Sequence, residues 1–167
     1  MRQSFEMDTV LGLANLMADN PEAEVPLWSE YSATYDPDLI DAAGEQGSYV
    51  PNPTQPDGTV PILVDRYDGD GPYIVLTDYT VDDDPTLSDS TLGIQASLRA
   101  EGLDVVKGMS SDLFALVHGR WGGMLGPVRL VSAQRASGTN VGQDSNNRQG
   151  RVENYYLRVH RPSTNRQ

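Results

Sequence analysis

Acidic side chains come closest, among the residues of this sequence, to the spacing of a metal-binding site. Asp65, Asp68 and Asp70 resemble the opening of a calcium-binding loop. An EF-hand loop needs oxygen ligands at every second position and a Glu at the twelfth, whereas the twelfth position counted from Asp65 is Leu76. A turn between two strands explains the run Asp-Gly-Asp-Gly without a metal, so we expect no metal site there.

Three further acids, Asp82, Asp83 and Asp84, stand in a row before Pro85. Neighbouring carboxylates repel each other unless water or a cation screens them, and Asp and Pro are frequent in turns. We therefore expect a solvated turn at this position. An acid-dependent hydrolase or a calcium-binding module that uses these acids or the Asp65 group is an alternative, because a pair of carboxylates can act as acid and base.

Other catalytic and cofactor-binding motifs are missing from the sequence. The chain has no cysteine, which excludes a disulfide framework, cysteine-ligated zinc, an iron–sulfur cluster and thiol catalysis. Of the two histidines, His118 is predicted to end a helix and His160 to lie in the last strand. The Gly-rich run 119–126 lacks the Lys and the Ser or Thr of a phosphate-binding loop. We interpret this run as a connection between a helix and a strand.

The 167 residues carry a formal net charge of −12, and the charges are unevenly divided. Residues 1–90 contain 19 acids and two bases, whereas residues 91–167 contain ten bases, nine of them Arg, and five acids. Unlike halves of this kind can attract each other between copies, in the head-to-tail geometry that closes rings or grows filaments. Neutralisation within one fold is the simpler interpretation of the same charges.

The Arg residues of the second half also raise the question of nucleic-acid binding. Several of them surround the last predicted hairpin together with Tyr155 and Tyr156, a combination that can bind a single strand. The net charge of −12 opposes binding, because affinity for nucleic acids depends largely on neutralising phosphates. We expect no specific nucleic-acid binding. We also expect a soluble chain, because no segment is long and apolar enough for a signal peptide or a membrane span.

Hydrophobic periodicity predicts two helices. Apolar residues recur with helical spacing over 4–20 and again over 105–118. Asp104 is placed where it can cap the second helix, and Gly119 follows its end.

Alternating apolar residues predict the strands, and the alternation is clearest in 91–99. We expect residues 60–66 and 73–81 to form a hairpin around a turn at 68–71. The last two predicted strands are 128–135 and 151–161. Together these elements predict an α+β fold in one domain, with two helices on one face of a mostly antiparallel sheet of about five strands.

Two polar segments interrupt this pattern. Residues 21–59 are rich in Pro, Asp and Glu, so we expect a long acidic loop, or an arm that reaches a neighbouring copy. Within it, residues 36–43 could form a short helix ended by Gly44. Residues 136–150 are almost wholly polar and rich in Gly and Asn, which predicts a mobile loop.

The second half, about residues 72–162, resembles the tail-terminator proteins of long-tailed bacteriophages, a family of minor capsid or minor tail proteins. The resemblance lies in an ordered series: a strand followed by Pro-Thr-Leu-Ser-Asp-Ser, the alternating strand, a helix from Asp104 to Gly119, and a close that runs from the polar segment 142–148 into Asn154–Val159. The first predicted helix is similar to the family's opening helix, whereas residues 21–59 would be an insertion.

The resemblance implies a structural protein of the virion. Such proteins have a helix-flanked sheet and form a hexameric ring on the finished tail tube, where they stop polymerisation and present a surface for joining the head. It also implies that the chain is not an enzyme, carries no cofactor, joins the virion from the host cytoplasm, contacts the tube and a head-side connector, and lets DNA pass without binding it.

On this resemblance, six residues of the last hairpin are candidate contacts with a partner: Arg135, Gln143, Asp144, Asn146, Arg148 and Arg151. We expect Tyr155, Leu157 and Val159, by contrast, to lie in the core. Another neck protein, such as a head-closure or connector component, is the alternative function, since the same charge pattern would suit it.

Overall fold

The computed structural model of the chain describes residues 5–40, 46–52, 54–65, 71–84 and 89–161. Its two helices are α1, Phe5–Ala18, and α2, Leu103–Val117. Its strands are β1 Leu27–Ser29, β2 Tyr31–Ile40, β3 Gln46–Pro51, β4 Val60–Val64, β5 Tyr73–Asp83, β6 Asp89–Ala100, β7 Met124–Leu125, β8 Val128–Gln143 and β9 Gln149–His160.

Seven of these strands form one mixed sheet in the order β1-β4-β5-β6-β9-β8-β7. Neighbouring strands in the part β5-β6-β9-β8-β7 are antiparallel, whereas β1, β4 and β5 run parallel to one another. The α+β class is therefore consistent with the structure. The sheet is larger than predicted and partly parallel.

The predicted hairpin of β4 and β5 is wrong. Ile62 is in register with Ile74, and Val64 with Leu76, so the two strands are parallel. β4 has only five residues, and eight residues separate it from β5. At about 3.3 Å per residue, eight residues are long enough to lead the chain from the end of β4 back to the level of its first residue. The predicted turn at 68–71 falls mostly outside the described residues.

Strand β6 lies at the centre of the sheet and follows its predicted alternation. Leu92, Ile94, Ala96 and Leu98 are buried, whereas the residues between them are mostly half-buried. Strand β6 pairs with β5 on one side and with β9 on the other. Its apolar face therefore organises the core.

Both helices contribute to a single apolar cluster with the inward side chains of the sheet. Apolar residues Val106, Met109, Leu113, Leu116 and Val117 form the predicted stripe of α2, and all are buried except Leu116, which is half-buried. The predicted cap is wrong: Gly102 is the N-cap and makes no side-chain hydrogen bond. Asp104 lies instead in the first turn, where its charge is favourable towards the helix dipole.

The segment 21–59 contains three strands where a loop was predicted. β1 joins the edge of the large sheet, while β2 and β3 form a separate two-stranded antiparallel sheet. The predicted helix at 36–43 is wrong for its first five residues, because Asp36 to Ile40 belong to β2; residues 41–45 lie outside the described ranges. Pro37 and Pro51 are tolerated because a hairpin outside a larger sheet consists of two edge strands.

The predicted loop at 136–150 is also corrected. β8 continues to Gln143 and β9 begins at Gln149, so the connection shrinks to residues 144–148. Cross-strand pairing with β9, from Ser137 opposite Asn154 to Gln143 opposite Gln149, holds this polar stretch extended. Backbone hydrogen bonds do not depend on side-chain polarity, which is why composition alone suggested a loop.

Candidate interaction surface

The end of the β8–β9 hairpin is a turn organised by one carboxylate. The Oδ1 of Asp144 accepts hydrogen bonds from the backbone N–H groups of Asn146, at 3.0 Å, and Arg148, at 2.9 Å. Its Oδ2 accepts the Nε–H of Arg148 at 2.9 Å. Asn147 takes a left-handed conformation with φ 58°, which Asn tolerates better than most residues. The turn therefore has a defined geometry.

Hydrogen bonds from the backbone and side chain of Arg148 hold the pKa of Asp144 below its ordinary value, and the Asn146 N–H acts in the same direction. Gln143 adds a bond from its Nε2 to the carbonyl of Asn147, at 3.0 Å. Four of the six predicted contact residues thus stabilise the turn of their own chain.

Arg148 is the least accessible of the six predicted residues, because only 2% of it is exposed. Its guanidinium lies 5.2 Å from the ring centre of Tyr73, and its Nη1 donates to the carbonyl of Gly71 at 3.1 Å. A cation over an aromatic ring that is also shielded from water is a stabilising contact. Arg148 therefore anchors the hairpin turn to the start of β5.

Arg135 and Arg151 meet at a buried carboxylate that the sequence interpretation missed. Glu153 is 0% exposed. Its Oε2 contacts the Nε of Arg135 at 3.0 Å, and its Oε1 pairs with the Nε of Arg151. Ser110 of α2 donates to Oε1 at 2.6 Å, and the hydroxyl of Tyr155 donates to Oε2 at 3.2 Å. We call these five residues the Glu153 cluster.

The cluster ties α2, β8 and β9 together. Burial and the adjacent carboxylate raise the pKa of Tyr155, so its hydroxyl keeps the proton that it donates. The strand alternation could have located Glu153, because it lies on the same face of β9 as Tyr155, Leu157 and Val159. These three residues are buried, as predicted.

Arg158 of β9, and Arg161 directly after this strand, neutralise acids of the first half within the same chain. Arg158 contacts Asp89 at 3.1 Å, and Arg161 contacts Glu6 at 3.1 Å. His160 lies 3.3 Å from the other oxygen of Asp89. The simpler interpretation of the charge division therefore accounts for part of it.

A second surface, also missed from sequence, retains unpaired cations. Trp121 is 80% exposed and Met124 58% exposed. Arg120 and Arg129 flank them along the β7–β8 edge, and their side chains have no ionic or hydrogen-bonding partner within the described ranges. We call these four residues the Trp121 surface. Beside it, a cavity of about 390 Å³ is lined by Trp121, His118 and Tyr156, among others.

The six predicted residues thus fall into two groups. Gln143, Asp144, Asn146 and Arg148 form the turn, whereas Arg135 and Arg151 belong to the Glu153 cluster. That any of them touches a partner stays a prediction.

The acidic runs are placed as follows. Asp82 and Asp83 lie within β5, where a turn was predicted, and Asp83 accepts a hydrogen bond from Ser90 at 2.6 Å. Asp68 and Asp70 lie outside the described residues. In the described part of the chain, no three His, Asp or Glu side chains are grouped in a way that could hold a metal ion. Within the same ranges, no helix combines the length and apolarity required to span a bilayer.

The chain matches no family model and no curated protein. Among solved structures it is similar to a chain of the virion of a native gene transfer agent particle, with 17% sequence identity and a TM-score of 0.49. The similarity covers 60% of this chain and 77% of that one.

Proposed function

We propose that this chain is a structural virion protein of a tailed bacteriophage and acts as its tail terminator. Identical copies form a ring, most simply a hexamer, on the end of the tail tube. The ring ends tube polymerisation and offers the surface to which the head-side connector binds. The chain performs no chemical step and needs no cofactor for this role.

The observation that carries the proposal is the order of elements in the second half. A strand, the alternating strand β6, helix α2 and the β8–β9 hairpin follow one another as in the tail terminators that the sequence resembles. The opening helix α1 completes the apolar core beside α2. The three extra strands β1 to β3 fall within the segment 21–59, which the resemblance treats as an insertion.

Unlike surfaces on one chain support the ring. Residues 3–65 contain no base at all, whereas the Trp121 surface carries two cations with no partner in the described part of the chain. A ring needs one patch that fits a different patch on the neighbouring copy. The excess of carboxylates also suits a bore through which DNA moves, because unneutralised acids repel phosphates.

A polymerisation assay tests the proposed function. Purified tail-tube protein is allowed to elongate, and this protein is added at increasing concentration while tube length is followed by light scattering. We expect elongation to stop, with about six copies retained per tube. Continued elongation at saturating concentration would contradict the terminator role.

Two further measurements, binding to the head-side ring and thermal melting with calcium, separate the alternatives. A head-closure or connector protein would leave the tube unaffected and would bind the purified head-side ring. A calcium-binding module would melt several degrees higher with micromolar calcium than with EDTA. We expect no such change in melting temperature.

A further inference from the structure

The Trp121 surface has the composition of a protein-binding site. Trp and Arg are the residues most enriched among those that dominate binding energy at interfaces. Trp121 is 80% exposed, although a Trp side chain offers about 150–250 Å² of area for burial. Met124 lies directly opposite Arg129 in the β7–β8 register, so the apolar and cationic side chains are adjacent.

The β2–β3 hairpin has complementary properties. It is separate from the seven-stranded sheet, and a two-stranded hairpin alone is at best marginally stable in water. Within the chain it contacts α1 through β2. It also carries two acids, because Asp36 and Asp38 lie in β2.

The two strands of the hairpin also contain tyrosines. Tyr35 and Tyr49 are direct cross-strand partners, and Asp36 is paired with Ser48 next to them. The acids Asp36 and Asp38 are complementary in charge to a surface on which Trp and Met lie beside unpaired Arg. Complementary charges suppress wrong orientations and accelerate encounter.

We propose that the β2–β3 hairpin of one copy binds the Trp121 surface of the next copy. This inference rests on the proposed ring and specifies its subunit contact. The hairpin and the Trp121 surface are different parts of the chain, so the contact is heterologous and can close a ring. It also gives the insertion 21–59 its role, because the hairpin gains from its neighbour the packing that a lone pair of strands lacks.

Disulfide trapping tests the contact directly, because the natural chain has no cysteine. One variant carries Asp38→Cys and a second, of different tag size, carries Met124→Cys. When the assembled mixture is oxidised, we expect a mixed disulfide dimer to form at least about tenfold faster than with a control pair. The control pairs Asp38→Cys with Ser111→Cys, which is exposed on α2.

Charge exchange provides a second readout that does not depend on cysteine geometry. Arg129→Glu is expected to raise the concentration needed for ring assembly about tenfold, and Asp38→Arg in the same chain should restore it. Lys107→Glu makes the same change of charge at another exposed base and is expected to have little effect.

The outcomes separate this inference from the function on which it rests. Rings that form and cap tubes without the mixed disulfide would overturn the contact and leave the terminator role intact. A wild-type chain that forms no ring and caps no tube would overturn both.

Discussion

Glu153 shows how a single residue can be both predictable in position and unexpected in role. Its place in β9 directs it to the core, where a lone carboxylate would be strongly unfavourable. Four side chains from α2, β8 and β9 bind its two oxygens. Removing one partner from a buried ionic group leaves the others uncompensated.

The first prediction concerns this carboxylate. Glu153→Gln should lower the free energy of unfolding by about 3–5 kcal/mol, because it leaves two guanidinium groups without their counter-charge. Chemical denaturation measures the loss, and Glu101→Gln, at an exposed position, controls for the substitution itself. Equal stability of Glu153→Gln and wild type would show that the cluster contributes nothing.

The second prediction concerns the pH dependence of the hairpin turn. The bonds from Arg148 and Asn146 lower the pKa of Asp144, so the folded state favours the ionised carboxylate. Its contribution to stability should be complete above about pH 4, the range of an unfolded Asp. It should be lost as the pH falls through the lower folded-state pKa.

Thermal unfolding between pH 2 and pH 6 measures this contribution. The melting temperature of wild type should exceed that of Asp144→Asn above about pH 4, and the difference should shrink in stronger acid. Asp57→Asn, at an exposed turn position, is the control substitution. A difference that stays constant over this pH range would be inconsistent with the turn geometry.

In the β8–β9 hairpin, two guanidinium groups lie close to the backbone of Gly138. A Cβ added to Gly138 would collide with the guanidinium groups of Arg135 and Arg151. Glu153 holds both groups in place, so neither can move away freely. The small residue at this position therefore leaves room for the two guanidinium groups of the Glu153 cluster.

The third prediction follows from that approach. Gly138→Ala should destabilise the protein by about 1–3 kcal/mol, as overpacking typically does. The penalty should be smaller in the Glu153→Gln background, where the guanidinium groups are less constrained. A double-mutant cycle on denaturation free energies measures this coupling, and additive effects would refute it.

Hydrophobic periodicity correctly predicted the elements that bury one face. The alternation in β6 and the apolar stripe of α2 reflect burial on one face, and both were located correctly. The extension of β8 to Gln143 depends on pairing with β9, and the parallel pairing of β4 with β5 depends on the path of the connection. Neither the pairing nor the path of the connection changes the hydrophobic periodicity of the sequence. The Trp121 surface was missed because a single exposed Trp in a Gly-rich connection has no periodic neighbours.

Charge is organised at the scale of the whole molecule. Arg158 and Arg161 neutralise acids of the first half inside the chain, whereas Arg120 and Arg129 have no partner in the parts of the chain that the structure describes. The acids from residues 3 to 65 are not balanced by any base in that segment. In the proposed ring, attraction between copies would therefore depend on these remaining charges.

The fourth prediction is that ring assembly weakens with salt. The screening length falls from about 10 Å at 0.1 M to about 3 Å at 1 M ionic strength. Light scattering at fixed protein concentration should show rings giving way to smaller species over this range. Assembly that strengthens with salt would indicate a contact dominated by apolar burial.

The central claim is a closed ring at one end of a tail tube, and electron microscopy of tubes mixed with this protein measures it most directly. We predict ring-shaped density capping one end of each tube, with the sides bare and the capped tubes uniform in length. Tubes with unoccupied ends, or with the protein scattered along their sides, would contradict the account.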